Sequence, residues 1–434
     1  MQQGLLLQLS CGISRNDWGK QGKDTLVYKI AQTFPTGEKL RDEGELPYAE
    51  VWMGTHPQLP SRVMGTGEPL LDVIEKNPCV DCNATGCNSP DGLGIMFKVL
   101  AIEKTLSIQA HPTSELAKML HAKHGDIYPD ANEKPEMIVA LTECEALVGF
   151  RPASEIHDIV AHVTPLRNLL GEKHTDALLQ ATEKPKKSDV SRTEVENAVQ
   201  SAFDSFLRVD QDTVEASYRD FLHFLDSIQG PALQNLPEAV QDALYIARRE
   251  INEWPHDIGV FVILFMNLVK LSPWESLFIP VGDIHAYVSG EMMECMIPSA
   301  NLLRAGFTHK VKDIDNLIPL LNFRPDEPVR IQPRSHNPAQ SQAEGTCHVH
   351  YDEPAGRFAI SRIVVDPQDP KINIGSVKGP SMLICMNGMG EIDADGNNQK
   401  LQFGSVFYIG CGATVSITNI GGDVLTCYGA HIPN

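Results

Sequence analysis

One stretch of the sequence places three polar side chains at alternate positions. If residues 107–111 form a β-strand, Ser107, Gln109 and His111 point to one face and supply a hydroxyl, an amide and an imidazole. By itself, such alternation more often marks a solvent-exposed strand than a functional wall. The segment therefore needs partners from elsewhere in the chain before it predicts any chemistry.

Two further segments supply candidate partners. Because Pro135 keeps the preceding residue extended, Lys134 and Glu136 share a face, although this segment taken alone is an ordinary charged loop. The turn at residues 280–283 is followed by His285 at the start of a predicted strand. Two imidazole nitrogens with an amide and a carboxylate oxygen suit a borderline cation such as zinc. The predicted metal ligands are Gln109, His111, Glu136 and His285.

The sequence downstream of His285 contains basic residues suited to an anion. Arg304 precedes an Ala-Gly turn, and Thr308 and Lys310 follow it at strand spacing. A guanidinium and an ammonium group beside a carboxylate suit an anionic, polyhydroxylated ligand. The alternative is an ordinary salt-bridged hairpin, and the residues alone leave both interpretations open.

The pattern of hydrophobic residues divides the chain into regions that would position these side chains. Residues 1–152 contain short β-like runs between turns, whereas residues 153–255 have apolar positions every three or four residues, which is helical spacing. Strand-like runs return at residues 256–329. Residues 330–434 contain short alternating runs separated by Gly turns, which predict a β-sandwich or jelly roll. We therefore predict a mainly β protein with an all-α insertion.

Composition and charge exclude several classes of protein. The 434 residues are 42% hydrophobic and 21% charged, which is typical of a soluble globular protein. A formal net charge of −20 argues against a general nucleic-acid or anionic-membrane binder, because phosphate neutralisation requires clustered Lys and Arg. The N-terminal residues lack the features of a signal peptide, and the longest apolar stretch, residues 259–268, is too short to cross a bilayer. We expect a cytoplasmic enzyme.

The ten cysteines are expected to be reduced thiols, as is usual in the cytosol. Cys79, Cys82 and Cys87 resemble part of a zinc knuckle, but a structural zinc site needs four ligands and no fourth Cys or His lies close by. Asn, Gly, Ser and Pro are frequent at residues 77–90. We therefore interpret this segment as a flexible loop.

Taken together, these segments resemble the type I phosphomannose isomerases, also called mannose-6-phosphate isomerases, along nearly the whole chain. The matching segments are residues 16–20, 47–57, 97–100, 106–112, 128–136 and 285–310. The resemblance implies a cupin-like, jelly-roll catalytic domain formed by residues 1–152 and 256–329. It also implies a helical domain at residues 153–255 and a second cupin-like domain, a C-terminal β-sandwich, at residues 330–434.

The resemblance implies an activity as well. The family members are zinc-dependent aldose–ketose isomerases that interconvert mannose 6-phosphate and fructose 6-phosphate through an enediolate, and they supply mannose activation (GDP-mannose biosynthesis) for glycosylation. For this chain we expect one zinc ion, a small sugar phosphate as ligand, a monomeric state, and neither nucleic acid nor membrane as partner. Two alternatives stay open. A cupin-type iron oxygenase would lack the fourth, amide ligand, and an inactive sugar-phosphate-binding cupin would have lost ligands or basic residues.

The resemblance assigns roles to individual residues. The zinc ligands of the family fall on the four residues predicted above. The catalytic positions fall on Arg304, Glu294, Lys134 and Lys310, and the substrate-binding positions fall on Ser107, Lys98, Trp18, Glu50 and Tyr287. The sequence departs from the family pattern at Glu133, where the family has a histidine, and at Ile297, Ala300 and His309. None of these departures removes a predicted metal ligand.

Two residues are candidates for the general base. A carboxylate beside zinc, Arg and Lys normally has a depressed pKa, so Glu294 is expected to be ionised and available as the base. Lys134 is the alternative, if burial near the metal lowers its pKa. Glu133 is disfavoured, because strand alternation points its side chain away from the face shared by Lys134 and Glu136.

Overall fold

The computed structural model describes residues 5–35, 45–76, 92–183, 192–324, 330, 332, 334–335 and 345–433. The segment that contains Cys79, Cys82 and Cys87 lies outside the described residues.

Up to residue 152 the described part of the chain forms mostly short strands. The elements are β1 (Leu6–Ser10), β2 (Gly12–Ser14), β3 (Lys20–Gln21), α1 (Leu26–Ala31), β4 (Pro47–Tyr48), β5 (Glu50–Met53), β6 (Arg62–Val63), α2 (Leu70–Lys76), β7 (Met96–Ile102), β8 (Ile108–Ala110), α3 (Ser114–His124), β9 (Glu136–Ala140) and β10 (Cys144–Phe150).

Helices occupy the next region, as predicted. They are α4 (Ala153–His162), α5 (Thr164–Thr182), α6 (Arg192–Leu207), α7 (Gln211–Ser227), α8 (Pro231–Gln234), α9 (Glu238–Glu253) and α10 (Gly259–Val262), followed by a 3-10 turn at Ile263–Phe265. Their apolar faces meet in one core, where Phe203 and Phe206 contact Phe265, and Phe221 stacks on Phe261. Burial of these apolar stripes stabilises the helices. Among the described residues, no helix is long and apolar enough to span a bilayer.

The chain after the 3-10 turn is again mostly β. Its elements are β11 (Met266–Leu271), β12 (Ser276–Ile279), β13 (His285–Met296), β14 (Leu303–Gly306), α11 (Ile314–Leu320), β15 (Arg334–Ser335), β16 (Cys347–Asp352), β17 (Ala359–Val365), β18 (Lys371–Ser376), β19 (Ser381–Asn387), β20 (Met389–Ala394), β21 (Asn397–Gln402), β22 (Val406–Ile409), β23 (Thr414–Asn419) and β24 (Leu425–His431). The predicted fold class, mainly β with an all-α insertion and a C-terminal β-sandwich, is confirmed.

Most of the candidate functional residues lie on a ten-stranded sheet. Its central path has the order β11-β10-β13-β7-β5-β2, and β8, β9, β12 and β14 attach to this path. The long strand β13 connects the parts, because its first half pairs with β8 and β10 and its second half pairs with β7 and β9. One strand therefore brings together side chains that lie far apart in the sequence.

The C-terminal strands form a sandwich of two sheets. An eight-stranded sheet has the order β15-β16-β17-β24-β19-β22-β1-β6, and a four-stranded sheet has the order β18-β23-β20-β21. Leu383, Phe407 and Ile417 lie in the core between them. The strand Leu6–Ser10 pairs with β22, so it belongs to the sheet of the C-terminal strands. The domain boundaries expected from the sequence stay a prediction.

A further hydrophobic core joins the sandwich to the ten-stranded sheet. Val99, Met137 and Met293 enter it from the ten-stranded sheet, and Tyr351 and Tyr408 enter it from the eight-stranded sheet. All five side chains are buried. The two sheets therefore pack against each other, and the C-terminal sandwich supports the back of the sheet that carries the candidate site.

Gly306 ends strand β14 at a close approach to helix α10. A Cβ atom at this position would lie 2.5 Å from the Cα of Gly259, so the backbone would have to shift. We expect Gly306→Ala to lower the free energy of unfolding by about 1–3 kcal/mol, the usual cost of overpacking, measured by chemical denaturation. Gly422→Ala is the control, because nothing lies within 4 Å of its added Cβ. Wild-type stability of Gly306→Ala would contradict this packing.

Candidate active site

A buried lysine connects two carboxylates on neighbouring strands. In the antiparallel pairing of β7 with β13, Lys98 lies directly opposite Glu294, so both side chains point to one face. The Nζ atom of Lys98 lies 3.1 Å from Oε2 of Glu294 and donates to Oε1 of Glu50 at 3.1 Å. All three residues are buried. The ammonium group compensates carboxylate charges that would otherwise be costly to bury.

Glu136, the first residue of β9, is the centre of a neighbouring cluster. Its Oε1 lies 2.7 Å from Nζ of Lys134, and its Oε2 accepts a hydrogen bond from the Tyr287 hydroxyl at 3.0 Å. The Nε2 of His111 lies 3.3 Å from Oε1, and the Nε2 of His285 lies 3.5 Å from Oε2. The carboxylate thus meets a cation, a hydroxyl and two imidazoles in a buried site.

Backbone carbonyls hold the two imidazole rings from behind. The Nδ1 of His111 lies 3.0 Å from the carbonyl oxygen of Asn301, and the Nδ1 of His285 lies 2.9 Å from that of Asp283. Because a carbonyl oxygen only accepts hydrogen bonds, each Nδ1 must carry the proton and donate. Each Nε2 is then left with a lone pair that faces Glu136, which is the tautomer that a metal ligand requires.

Unsatisfied polar atoms in this cluster fit a metal ion. The ligand atoms of His111, Glu136 and His285 lie within 4.8 Å of one another. Gln109 lies directly opposite His285 in the sheet. Among the described residues, the Oε1 of Gln109 and the Nε2 of both histidines have no hydrogen-bond partner. Buried polar atoms without partners are costly, and this set of two nitrogens and two oxygens suits zinc.

The charges in the cluster favour neutral imidazoles and an ionised carboxylate. Burial and the charge of Lys134 lower the pKa of His111 to about 4. Burial raises the pKa of Glu136, but Lys134 and the histidines lower it by more, so the pKa of this carboxyl lies well below its usual range. Neutral imidazole and ionised carboxylate are the protonation states in which these groups bind metals.

Glu294 departs from the expectation for its protonation. Burial raises the pKa of this carboxyl; Lys98 lowers it and Glu136 raises it, and the net change is an increase. The prediction of a depressed pKa is therefore wrong, because the sequence does not reveal how deeply the carboxyl is buried. A raised pKa makes the ionised form a stronger base and brings it closer to the pH at which a general base works.

Arg304 supplies a half-buried cation beside the candidate ligands. It lies directly opposite Gln109 in the pairing of β14 with β8, so the two side chains share a face. Burial lowers the pKa of the guanidinium group, and the nearby Tyr128 partly offsets this. In the part of the chain that the structure describes, Arg304 forms no ion pair with a carboxylate. An arginine in this state is suited to a phosphate or an oxyanion.

Ser107 and Trp18 lie at the margin of the cluster. Ser107 directly precedes β8 and is partly buried. Trp18 packs against the core that contains Leu100 and Tyr287. Both residues are therefore near the strands that carry the candidate ligands, and their predicted role in substrate binding stays a prediction.

Lys310 does not join the cluster. It is exposed in a bend, because β14 already ends at Gly306. The backbone N–H groups of Phe307 and Thr308 donate to the carboxylate of Asp257, which turns the chain away from the strand direction. The predicted strand spacing of residues 308 and 310 is therefore wrong.

A set of hydrogen bonds that is not apparent from the sequence holds His111 in place. The side-chain amide of Asn301 donates to the carbonyl oxygen of Asp130 at 2.7 Å and to its Oδ1 at 2.9 Å. The Ser299 hydroxyl donates to the same Oδ1, and the backbone N–H of Ala300 donates to Oδ2. These bonds fix the Asn301 carbonyl that accepts from His111. The only signal in the sequence is that all four residues lie in segments that match the family.

Glu133, a departure from the family pattern, contacts the C-terminal sandwich. Its Oε1 accepts a hydrogen bond from Nη1 of Arg357 at 2.6 Å. Arg357 also donates to Glu353, whose side chain is fully buried. The side chain of Glu133 thus points away from the metal-ligand face, in agreement with strand alternation, and it stabilises the contact between the two β units.

Comparisons with known proteins agree with this geometry. Residues 6–153 match the profile described as "Phosphomannose isomerase type I, catalytic domain". The mannose-6-phosphate isomerase of Aspergillus fumigatus is 35% identical over 98% of this chain and 96% of its own length. That of Saccharomyces cerevisiae is 34% identical over 93% of each chain. The chain belongs to the type I phosphomannose isomerase family. It is accordingly an enzyme, an isomerase, and the family resemblance seen in the sequence is confirmed.

Solved structures extend the likeness to the fold. A variant of the phosphomannose isomerase of Salmonella typhimurium has a TM-score of 0.77 and 26% identity, and the match covers 99% of this chain and 100% of that one. A mannose 6-phosphate isomerase described as bound with zinc and yttrium matches with the same TM-score, identity and coverage. The predicted cupin-like fold is confirmed by these neighbours.

If the predicted four-ligand zinc site is right, we expect His285→Ala to lose most of the bound zinc, because the substitution removes a buried nitrogen donor. Metal analysis of the purified variant after zinc loading measures this, and we expect at least about tenfold weaker retention. His223→Ala is the control, since His223 is exposed on α7, and it should keep the wild-type zinc content. Full zinc content in His285→Ala would exclude His285 as a ligand.

Proposed function

We propose that the chain is a zinc-dependent isomerase that interconverts mannose 6-phosphate and fructose 6-phosphate. The observation that supports this most directly is the convergence of the ligand atoms of His111, Glu136 and His285. Gln109 lies opposite His285 in the sheet, and Arg304, which lies opposite Gln109, forms no ion pair with a carboxylate among the described residues. Full-length relatives named mannose-6-phosphate isomerase add to it. We further propose that the enzyme works in the cytosol and supplies mannose activation for glycosylation.

The reaction moves a proton between two adjacent carbons of the open-chain sugar through an enediolate. It needs a base above C1 and C2, stabilisation of the developing oxyanion, and a partner for the phosphate group. We assign the zinc-binding role to Gln109, His111, Glu136 and His285. A zinc ion bound there would supply Lewis-acid polarisation of the C1 and C2 oxygens.

The remaining residues divide the other tasks. Glu294 takes the proton from one carbon and returns it to the other, since its buried carboxylate has a raised pKa. Lys98 lies 3.1 Å from this carboxylate and stays protonated, so it orients Glu294 and balances its charge. Lys134 is the alternative base. With Glu294 as the base, Lys134 instead donates hydrogen bonds to sugar oxygens as an ammonium group. Arg304 binds the anionic part of the substrate.

A coupled assay of fructose 6-phosphate formed from mannose 6-phosphate tests the proposal. We expect activity that a chelator removes and added zinc restores, because the donor set requires a cation. Unphosphorylated mannose should be a poor substrate. Turnover that survives complete removal of the metal would contradict a catalytic zinc, and equal turnover of mannose and its phosphate would contradict the anion site.

In the same assay, Arg304→Ala tests the substrate cation. We expect kcat/KM to fall by at least about 100-fold, which is typical when a donor to a developing anion is removed. Arg219→Ala is the matched control, because Arg219 is exposed on α7. Nearly unchanged kcat/KM in Arg304→Ala would remove this residue from the site.

Exchange of solvent deuterium into C2 of mannose 6-phosphate identifies the base. We expect Glu294→Gln to abolish exchange and retain zinc, because the amide cannot accept the proton. Glu291→Gln is the control on the same strand, since Glu291 faces Lys20 instead of the cluster. Persistent exchange in Glu294→Gln would transfer the role to Lys134, and Lys134→Met would then be the variant that loses exchange.

A further inference from the structure

The C-terminal sandwich contains a cavity of about 420 Å³ between its two sheets. Strands β16, β17, β19 and β24 line it from the eight-stranded sheet, and β18 and β23 line it from the four-stranded sheet. Its size lies within the range of small-molecule sites, about 300–1,000 Å³. None of its lining residues belongs to the candidate active site.

Polar side chains enter this cavity from strand β16. His348, His350 and Asp352 alternate along the strand and line the cavity. The residues between them, Val349 and Tyr351, point the other way, into the core shared with the ten-stranded sheet. The interior of a β-sandwich normally holds apolar residues, because burying polar groups costs free energy. Of these three residues, His350 is buried and His348 and Asp352 are half-buried, so this part of the sandwich has an unusually polar lining.

A hydroxyl group connects two of the imidazoles. Ser361 lies directly opposite His350 in the pairing of β16 with β17, and its Oγ lies 3.1 Å from Nδ1 of His350 and 3.4 Å from Nδ1 of His431. The ring centroid of His348 lies 4.1 Å from that of His350. The buried serine thus contacts two imidazoles, and a third imidazole packs against one of them.

The single proton of the Ser361 hydroxyl restricts how this cluster can be protonated. If both neighbouring imidazoles are neutral, the hydroxyl can donate to only one Nδ1, and a ring whose Nδ1 carries the proton donates to Oγ. If both are protonated, each Nδ1–H donates to Oγ, which has two lone pairs, and the hydroxyl proton becomes available to another acceptor. The cluster can therefore gain hydrogen-bond donors when it gains positive charge.

We propose that this cavity is a second ligand site, which binds a small phosphorylated molecule through its histidine cluster. Lys378, exposed at the cavity, adds a further cation, and Asp352 is the single carboxylate among the described lining residues. The phosphate group is bound by the imidazoles, Ser361 and Lys378. The less polar part of the molecule lies on the aliphatic wall formed by Leu383 and Val415.

A metal ion fits this cluster less well. Among the described residues, the His, Cys, Asp and Glu side chains whose ligand atoms converge for a metal are His111, Glu136 and His285. Among the described cavity residues, no three of these side chain types bring their ligand atoms within 4.8 Å of one another. A phosphate has several acceptor oxygens and is larger than a metal ion, so it can contact imidazoles that surround it at greater separation.

Calorimetric titration of the zinc-loaded Arg304→Ala enzyme tests the proposal, because this background weakens phosphate binding at the candidate active site. Inorganic phosphate and mannose 6-phosphate are the probes, and their comparison separates recognition of phosphate alone from recognition of a sugar phosphate. We expect one binding site for phosphate. We also expect binding to take up protons, so the measured heat of binding varies with the ionisation enthalpy of the buffer. In the part of the chain that the structure describes, the lining groups that can titrate or carry charge are His348, His350, Asp352, Lys378 and His431.

Further substitutions in that background assign the binding to the cavity. We expect His350→Gln to weaken it at least about tenfold, as for loss of a charge-assisted hydrogen bond, and Lys378→Ala to weaken it several-fold. Lys371→Ala is the control, since Lys371 is also exposed on the sandwich but does not line the cavity. If His350→Gln does not fold, the exposed Lys378 decides the outcome. With Arg304 restored, His350→Gln should isomerise mannose 6-phosphate at the wild-type kcat.

Three results would overturn the proposal. The first is the absence of phosphate binding to Arg304→Ala at about 10 mM ligand, which would largely fill a site of millimolar Kd. The second is binding that neither His350→Gln nor Lys378→Ala changes. The third is tight retention of a second zinc ion that His350→Gln abolishes, which would make the cavity a cation site.

Discussion

The architecture of this enzyme depends on one constraint, which is the burial of the Glu136 carboxylate. A carboxylate in the interior is stable only if cations, donors or metals surround it. Here Lys134 and Tyr287 hold its two oxygens, and His111 and His285 approach it with lone pairs. These partners come from the chain before β9, from β13 and from the end of β8. Segments that lie far apart in the sequence must therefore come together around this one charge.

Strand β13 meets this requirement through an irregularity. His285 and Tyr287 occupy odd positions on the side of the cluster, whereas Glu294 on the same strand occupies an even position. Between them the pairing with β10 shifts register, and Gly290 has a φ of +107°. A β-bulge of this kind reverses the alternation of side chains. Without the shift, Glu294 would lie on the face of the strand opposite to that of His285 and Tyr287.

The C-terminal sandwich packs against the sheet that carries Glu136. It shares a hydrophobic core with the back of the ten-stranded sheet, and Arg357 binds Glu133, one residue before Lys134. Tyr351 donates to the backbone of Trp274, in the turn before β12, which pairs with β9. The strand that carries Glu136 is therefore held by contacts from a region that supplies none of the proposed metal ligands.

The sequence by itself determined the features that depend on local backbone period. Alternation in a strand identified Gln109 with His111 and Lys134 with Glu136, and it also directed Glu133 away from them. The tertiary structure decided features that depend on distant contacts. Burial raised the pKa of Glu294, pairing with β22 moved the first strand into the C-terminal sheet, and Asp257 turned the chain that carries Lys310 away. The reason is physical: a strand's period is a property of neighbouring residues, whereas burial, register and strand partners depend on segments far along the chain.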